Sequence, residues 1–191
     1  MKPSNITRRE FVEAAMLGAG CLTLAESTAA VVAAAPADLT SILPRVWTAN
    51  KDMTLAFAQA MPEEHDGFKP APEVRSFAEQ MLHIAQANHF LMSRVKGEKP
   101  TLSQDDFKAD GKSKADVIKL LEQGFELGTS AVSAMTEEQA KEDVPFGQGK
   151  MPKWRVTLFV CDHTTHHRGQ TVIYLRMKGI TPPQYQSGFF A

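Results

Sequence analysis

Cysteine is almost missing from this chain: Cys21 and Cys161 are the only two in 191 residues. Blocks of Lys and Arg are missing too, and 21 basic against 22 acidic side chains leave a formal net charge of −1. Nothing therefore points to nucleic acid or to an anionic membrane surface as a partner. Val, Ile and Thr never alternate with polar residues over a sustained run, so strands are not expected. No run of about 18 apolar residues survives uninterrupted, which argues against a stable membrane span.

What is present reads as helix. Hydrophobic residues make up 43% of the chain and recur at helical spacing, and the length suits one domain with a sizeable core. The first 37 residues differ from the rest. Thr7-Arg8-Arg9-Glu10-Phe11-Val12 opens a weakly hydrophobic stretch from Ala14 to Ala25, followed by the Ala-rich run Ala29 to Ala37. A basic start, an apolar centre and the small residues Ala35-Pro36-Ala37 predict a cleaved signal over 1–37. The paired arginines before Phe11 resemble a twin-arginine export signal, and the expected location is periplasmic. Glu26 is discordant, and an amphipathic helix that stays attached is the competing reading. Cys21 after Leu17-Gly-Ala-Gly20 is a poor lipidation signal, because Gly18 stands where an aliphatic residue is expected. Cleavage before Asp38 leaves Cys161 as the sole cysteine of 38–191, so no disulfide can form within the mature chain. Its apolar surroundings predict a small buried hydrophobe rather than a reactive thiol.

Four helices follow. The first spans Leu39 to Ala60, with Leu43, Val46, Trp47, Met53, Leu55 and Phe57 as apolar positions, and ends at Met61-Pro62. The second is predicted from Glu73 to Lys96, with a core seam of Val74, Phe77, Met81, Ile84, Leu91 and Val95. Ser113 is the expected N-cap of a third helix, Lys114 to Met135, and Thr136 opens a further short turn. Pro145 to Pro152 reads as a Gly/Pro-bounded loop. The last helix is predicted from Lys153 to Lys178, stopped by Gly179 with Pro182-Pro183 beyond. Four helices of about 20 residues joined by loops make an all-α four-helix bundle.

The chemistry concentrates in Cys161-Asp-His-Thr-Thr-His-His-Arg-Gly-Gln170, where three of the six histidines fall in five positions. His163 and His167 stand one helical turn apart on one face, where they interrupt a row containing Phe159, Val160, Thr171 and Tyr174. Burying two imidazoles there costs free energy unless each finds a partner, and a divalent metal supplies one. A pair of half-exposed histidines bonded to neighbours explains the spacing equally well. His83, in the middle of the second helix beside the core seam, is the candidate third ligand. His65 and His89 have no visible partner and are read as structural. Glu79, one turn before His83, is read as an exposed charge rather than the group that orients its imidazole. Asp162 is placed to pair with His166 across one turn, while Arg168 and Gln170 are assigned packing or helix-surface roles ahead of contacts to a site.

Val74-Arg-Ser-Phe-Ala-Glu-Gln-Met-Leu-His83-Ile-Ala, Asp162-His163-Thr-Thr-His-His167-Arg-Gly-Gln170 and Tyr174-Leu-Arg-Met-Lys-Gly-Ile-Thr-Pro-Pro183 together resemble the DinB-like (YfiT-like) superfamily. The likeness extends from about residue 40 to 185. It implies a four-helix bundle, a homodimer, and a divalent metal such as zinc or nickel held by His83, His163 and His167, with His166 outside the ligand set. It also implies metal-dependent chemistry on a small-molecule substrate, either hydrolysis or transfer to a low-molecular-weight thiol. Three protein ligands leave a coordination position open, as in catalytic sites. A non-catalytic metal- or ligand-binding bundle of the cell envelope is the alternative. A structural dimerisation module with metal-free histidines is a third.

Overall fold

Side-chain caps open four of the five helices among the described residues, three of them reciprocally. In the computed structural model, which describes residues 38–186, the Thr40 backbone N–H donates to the Asp38 carboxylate at 3.0 Å and opens α1, Leu39–Ala60. Ser76 and Glu79 exchange side-chain and backbone bonds of 3.2 and 2.6 Å at the start of α2, Phe77–Lys96. Ser113 and Asp116 do the same for α3, Lys114–Ser133, and Thr136 and Gln139 for the short α4, Glu137–Lys141. Each pair satisfies backbone donors that a helix start leaves orphaned. The last helix, α5, spans Lys153–Met177. Past its end Gly179 adopts a φ of 74°, which lets the Ile180 N–H reach back to the Leu175 carbonyl at 2.9 Å. The export segment expected over 1–37, with Cys21, lies outside the described residues.

Two expectations need correction. The second helix begins at Phe77, not Glu73, because Ser76 takes the cap and leaves Pro72 to Arg75 outside it. Val74 is accordingly 39% exposed rather than part of the seam. Pro145 to Pro152 is not a bare loop either. Asp143–Phe146 (β1) and Gly149–Pro152 (β2) pair antiparallel, with Phe146 opposite Gly149. The intervening turn is Gly147-Gln148, and Gly147 at φ 57° supplies the positive dihedral that a two-residue hairpin turn needs. Four-residue strands with two prolines carry too little alternation to be read from sequence.

The long helices pack in the cyclic order α1–α3–α2–α5, so α2 lies beside α5 while α1 lies across from α2. Between them sits one core that includes Leu43, Trp47, Phe57, Met81, Leu121 and Phe125. Trp47 is its largest fully buried side chain. Its indole N–H donates to the Phe125 carbonyl at 3.0 Å, and its ring meets the Phe125 ring edge-on at 5.6 Å. The indole lies directly on the backbone of α3 at Gly128, where a Cβ would stand 1.9 Å from a ring carbon. Gly128→Ala is therefore expected to destabilise the fold by about 2 kcal/mol or more through overpacking. At an unobstructed helical site the same change would gain up to ~1 kcal/mol. Urea unfolding of the variant measures the difference, and an unchanged or raised midpoint would show that α1 and α3 can separate freely.

Candidate metal centre

The α2–α5 contact decides the site. His83 comes from the middle of α2, and His163 and His167 project from α5 one turn apart. The three ring centroids form a near-equilateral triangle: His83–His163 is 4.9 Å, His83–His167 4.4 Å and His163–His167 4.4 Å. One ring nitrogen from each residue lies within 4.8 Å of the other two. The Nε2 atoms of His83 and His163 are 3.2 Å apart. Two nitrogens bound at about 2.0–2.1 Å to a tetrahedral zinc stand about 3.3 Å from each other, so this spacing already suits a shared ion.

The rings are also in the right protonation state. Burial pushes the His83 and His167 imidazoles down from 6.5 to about 4. After desolvation, the Arg75 guanidinium is the next cause for His83, and the neighbouring His163 and His83 rings are for His167. His163 is lowered as well, chiefly by burial and then by His166. Neutral imidazoles carry the lone pairs that a metal requires.

The surrounding bonds separate the fixed histidine from the free ones. His167 Nδ1 lies 3.1 Å from Oε1 of Gln80, a residue 4% exposed. A carboxamide oxygen only accepts, so Nδ1 carries the hydrogen and Nε2 is left open. His163 Nδ1 is buried without a partner. Its Nε2 faces His83 Nε2 at 3.2 Å, so a hydrogen on one must meet the lone pair of the other and the two tautomers are coupled.

The sequence matches the DinB superfamily over residues 47–171. The chain belongs to the DinB superfamily. Its fold is similar to a DinB-like protein from Bacillus cereus ATCC 10987 (TM-score 0.65, 19% identity), covering 75% of this chain and 95% of that one. It is also similar to the DinB-like protein YjoA from Bacillus subtilis (TM-score 0.62, 22% identity, 76% and 98% covered). A conserved protein from Enterococcus faecalis matches with a TM-score of 0.59 at 16% identity, over 74% and 98% of the two chains. No curated protein matches the sequence.

Within this DinB fold the other candidates fall into place. His166 is exposed, with Nε2 2.9 Å from Nε2 of Gln170, so it turns away from the triad. No ion pair joins it to Asp162 among the described residues. Glu79 is committed to the α2 cap and to Lys69 at 3.0 Å, and does not orient His83. His89 is buried and structural as expected: its Nε2 accepts the Leu102 backbone N–H at 3.1 Å. Cys161 is buried, its thiol pushed up to about 12 by desolvation, in keeping with a small apolar filler. Arg168 is 4% exposed and faces α1, donating to Thr54 Oγ1 at 3.1 Å and Asn50 Oδ1 at 3.2 Å. Gln80 is the residue that sequence reading missed. Its place three residues before His83, on the same helix face, was the available signal.

Between about pH 6.5 and about 4 the folded, metal-free protein binds fewer protons than the unfolded chain, because His83 and His167 resist protonation only when folded. Stability therefore rises with pH through that window and falls as pH drops through it. In urea titrations across the window, the metal-free wild type is expected to lose more stability toward acid than a His167→Gln variant. Equal losses would mean that the buried ring gains its proton without penalty.

Proposed function

We propose that His83, His163 and His167 hold one divalent transition metal, zinc or nickel, and that the protein acts through it on a small molecule as a hydrolase or thiol S-transferase. The observation that carries this reading is the triangle of three neutral imidazoles with converging nitrogens. Imidazole donors suit zinc and nickel better than magnesium or calcium, which prefer oxygen. With three protein ligands and an open position, such an ion supplies Lewis acidity toward water, a carbonyl or a thiolate.

The chain's own residues leave space for a substrate. A groove of about 430 Å³ reaches the triad at His83, and Arg75, Glu79, Gln86, Phe107 and Lys108 line it as well. Tyr174 holds its near wall by donating from its hydroxyl to the Arg75 carbonyl at 2.8 Å. Tyr174 is itself buried against Phe77 and Phe68. This open groove supports an enzyme ahead of a non-catalytic storage bundle, whose metal would be closed off. A second cavity of about 280 Å³, between α1 and α5 at Arg168, takes in none of the three histidines.

Metal analysis of the purified protein tests the proposal. One equivalent of zinc or nickel per chain is expected, and His163→Ala combined with His167→Ala should abolish it. A wild type that binds no divalent metal, or a double variant that keeps it, removes the basis of the reading. The export reading belongs to the same proposal, and mass measurement of protein recovered from its native cell checks it. A mature chain starting at Asp38 is expected; a chain that keeps residues 1–37 would rule out the cleavage.

A further inference from the structure

We propose that the polar chain His166–Gln170–Gln80 sets the tautomer of His167, which makes Gln170 and His166 positioning residues of the metal centre. The inference rests on the reading of the triad as a metal site. Three consecutive contacts carry it. Gln80 Oε1 lies 3.1 Å from His167 Nδ1, Gln80 Nε2 donates to Gln170 Oε1 at 2.6 Å, and Gln170 Nε2 lies 2.9 Å from His166 Nε2.

A carboxamide has one end that accepts and one that donates, so a chain of two amides has a direction. In the observed order Gln170 donates to His166 Nε2, Gln80 donates to Gln170, and His167 Nδ1 donates to Gln80. The hydrogen of His166 then sits on Nδ1, and His167 Nε2 keeps its lone pair for a metal. One other order is consistent, with both amides turned over. There His166 Nε2 donates inward and Gln80 donates to His167 Nδ1, so the His167 hydrogen moves to Nε2, where it blocks coordination. Turning one amide alone sets oxygen against oxygen or N–H against N–H. The tautomers of His166 and His167 are thus locked together, though the two side chains point to different sides of α5.

Burial gives the lock its force. Gln80 is 4% exposed, so a turned or unpaired amide would find no water there. At the other end His166 is exposed and Gln170 partly so. Among the described residues, His167 is also the one triad member whose Nδ1 bonds to a protein group; His163 Nδ1 has none. A metal-binding histidine whose second nitrogen is held in this way is oriented and made a better ligand.

The test uses long-range nitrogen–proton spectra of the metal-free protein, well above the imidazole titration range, with zinc affinity measured by competition against a chromophoric chelator. In the wild type both His166 and His167 are expected to carry hydrogen on Nδ1. Gln80→Glu presents oxygen to both neighbours: His167 should keep its Nδ1 hydrogen, Gln170 should turn over, and the hydrogen on His166 should move to Nε2. A change at residue 80 would then be read at a histidine it does not touch, an effect that mere packing would not produce. Gln80→Leu should lower zinc affinity ~10-fold or more, and Gln170→Leu, at a half-exposed position safer for folding, by a smaller ~2–10-fold with mixed His167 tautomers. An unmoved His166 hydrogen in Gln80→Glu, or an unchanged His167 tautomer in Gln170→Leu, overturns the proposal. A wild type with the expected tautomers but no zinc binding would instead overturn the metal reading and leave the lock standing.

Discussion

Everything in the site depends on α2 lying against α5. A single helix can offer two imidazoles one turn apart, but a third donor at the same depth must come from a neighbour. The cyclic order α1–α3–α2–α5 provides that neighbour. The contact is polar where an ordinary bundle would be apolar: His83, Gln80, His163, His167 and Gln170 meet along it. Burying these groups is tolerated because nearly every one has a partner, and the exception is His163 Nδ1. An unpaired buried group of this kind costs about 1–3 kcal/mol, and an ion held on Nε2 would leave that cost in place.

The ten residues from Cys161 to Gln170 look crowded as a string and become orderly on a helix. Successive residues turn by about 100°, so His167 and Arg168 face different helices although they are adjacent. His167 meets α2 through Gln80, and Arg168 meets α1 through Asn50 and Thr54. Arg168 is a buried cation whose hydrogen-bond acceptors are neutral oxygens, four of them, including the Asn50 carbonyl and Thr165 Oγ1. Its planar array of donors is what makes that substitute for an ion pair possible. The same run of residues therefore ties α5 to both of its neighbours, and the relative placement of the three histidines rests on both ties.

Most helix ends and the His163–His167 pair were legible in the sequence because they follow from local rules. Ser113 as a cap, Met61-Pro62 as a stop and Gly179 beyond the last helix need only backbone preferences, and each is where it was expected. The i,i+4 pair His163 and His167 follows from helical periodicity. His83 needed the further step that α2 and α5 pack together: its mid-helix position made it a candidate, and the family resemblance added it to the ligand set. What escaped reading depends on partners far apart in the chain. Gln80 and Gln170 are 90 residues apart, and no local pattern tells that one amide will donate to the other. The hairpin escaped for a different reason: its order comes from a glycine turn and from Phe146 packing edge-on against Phe159 at 5.0 Å, not from alternation.

His166 shows why proximity in sequence is a poor guide to ligation. It lies three residues after His163 and next to His167, and its ring centroid is only 5.0 Å from that of His167. Yet the two rings are nearly perpendicular, and the His166 Nε2 is engaged by Gln170 on the exposed side of the helix. To join the triad it would have to give up that bond and swing across the face occupied by His167. His167 needs no such movement, since its Nδ1 is already held by a buried amide and its ring centroid lies 4.4 Å from each of the other two. The chain thus sends three adjacent polar residues three ways: His167 toward His83 and His163, His166 to the outer end of an amide chain, and Arg168 to α1. Preorganisation of the donor set, more than the count of histidines, is what separates a metal centre from a histidine-rich helix.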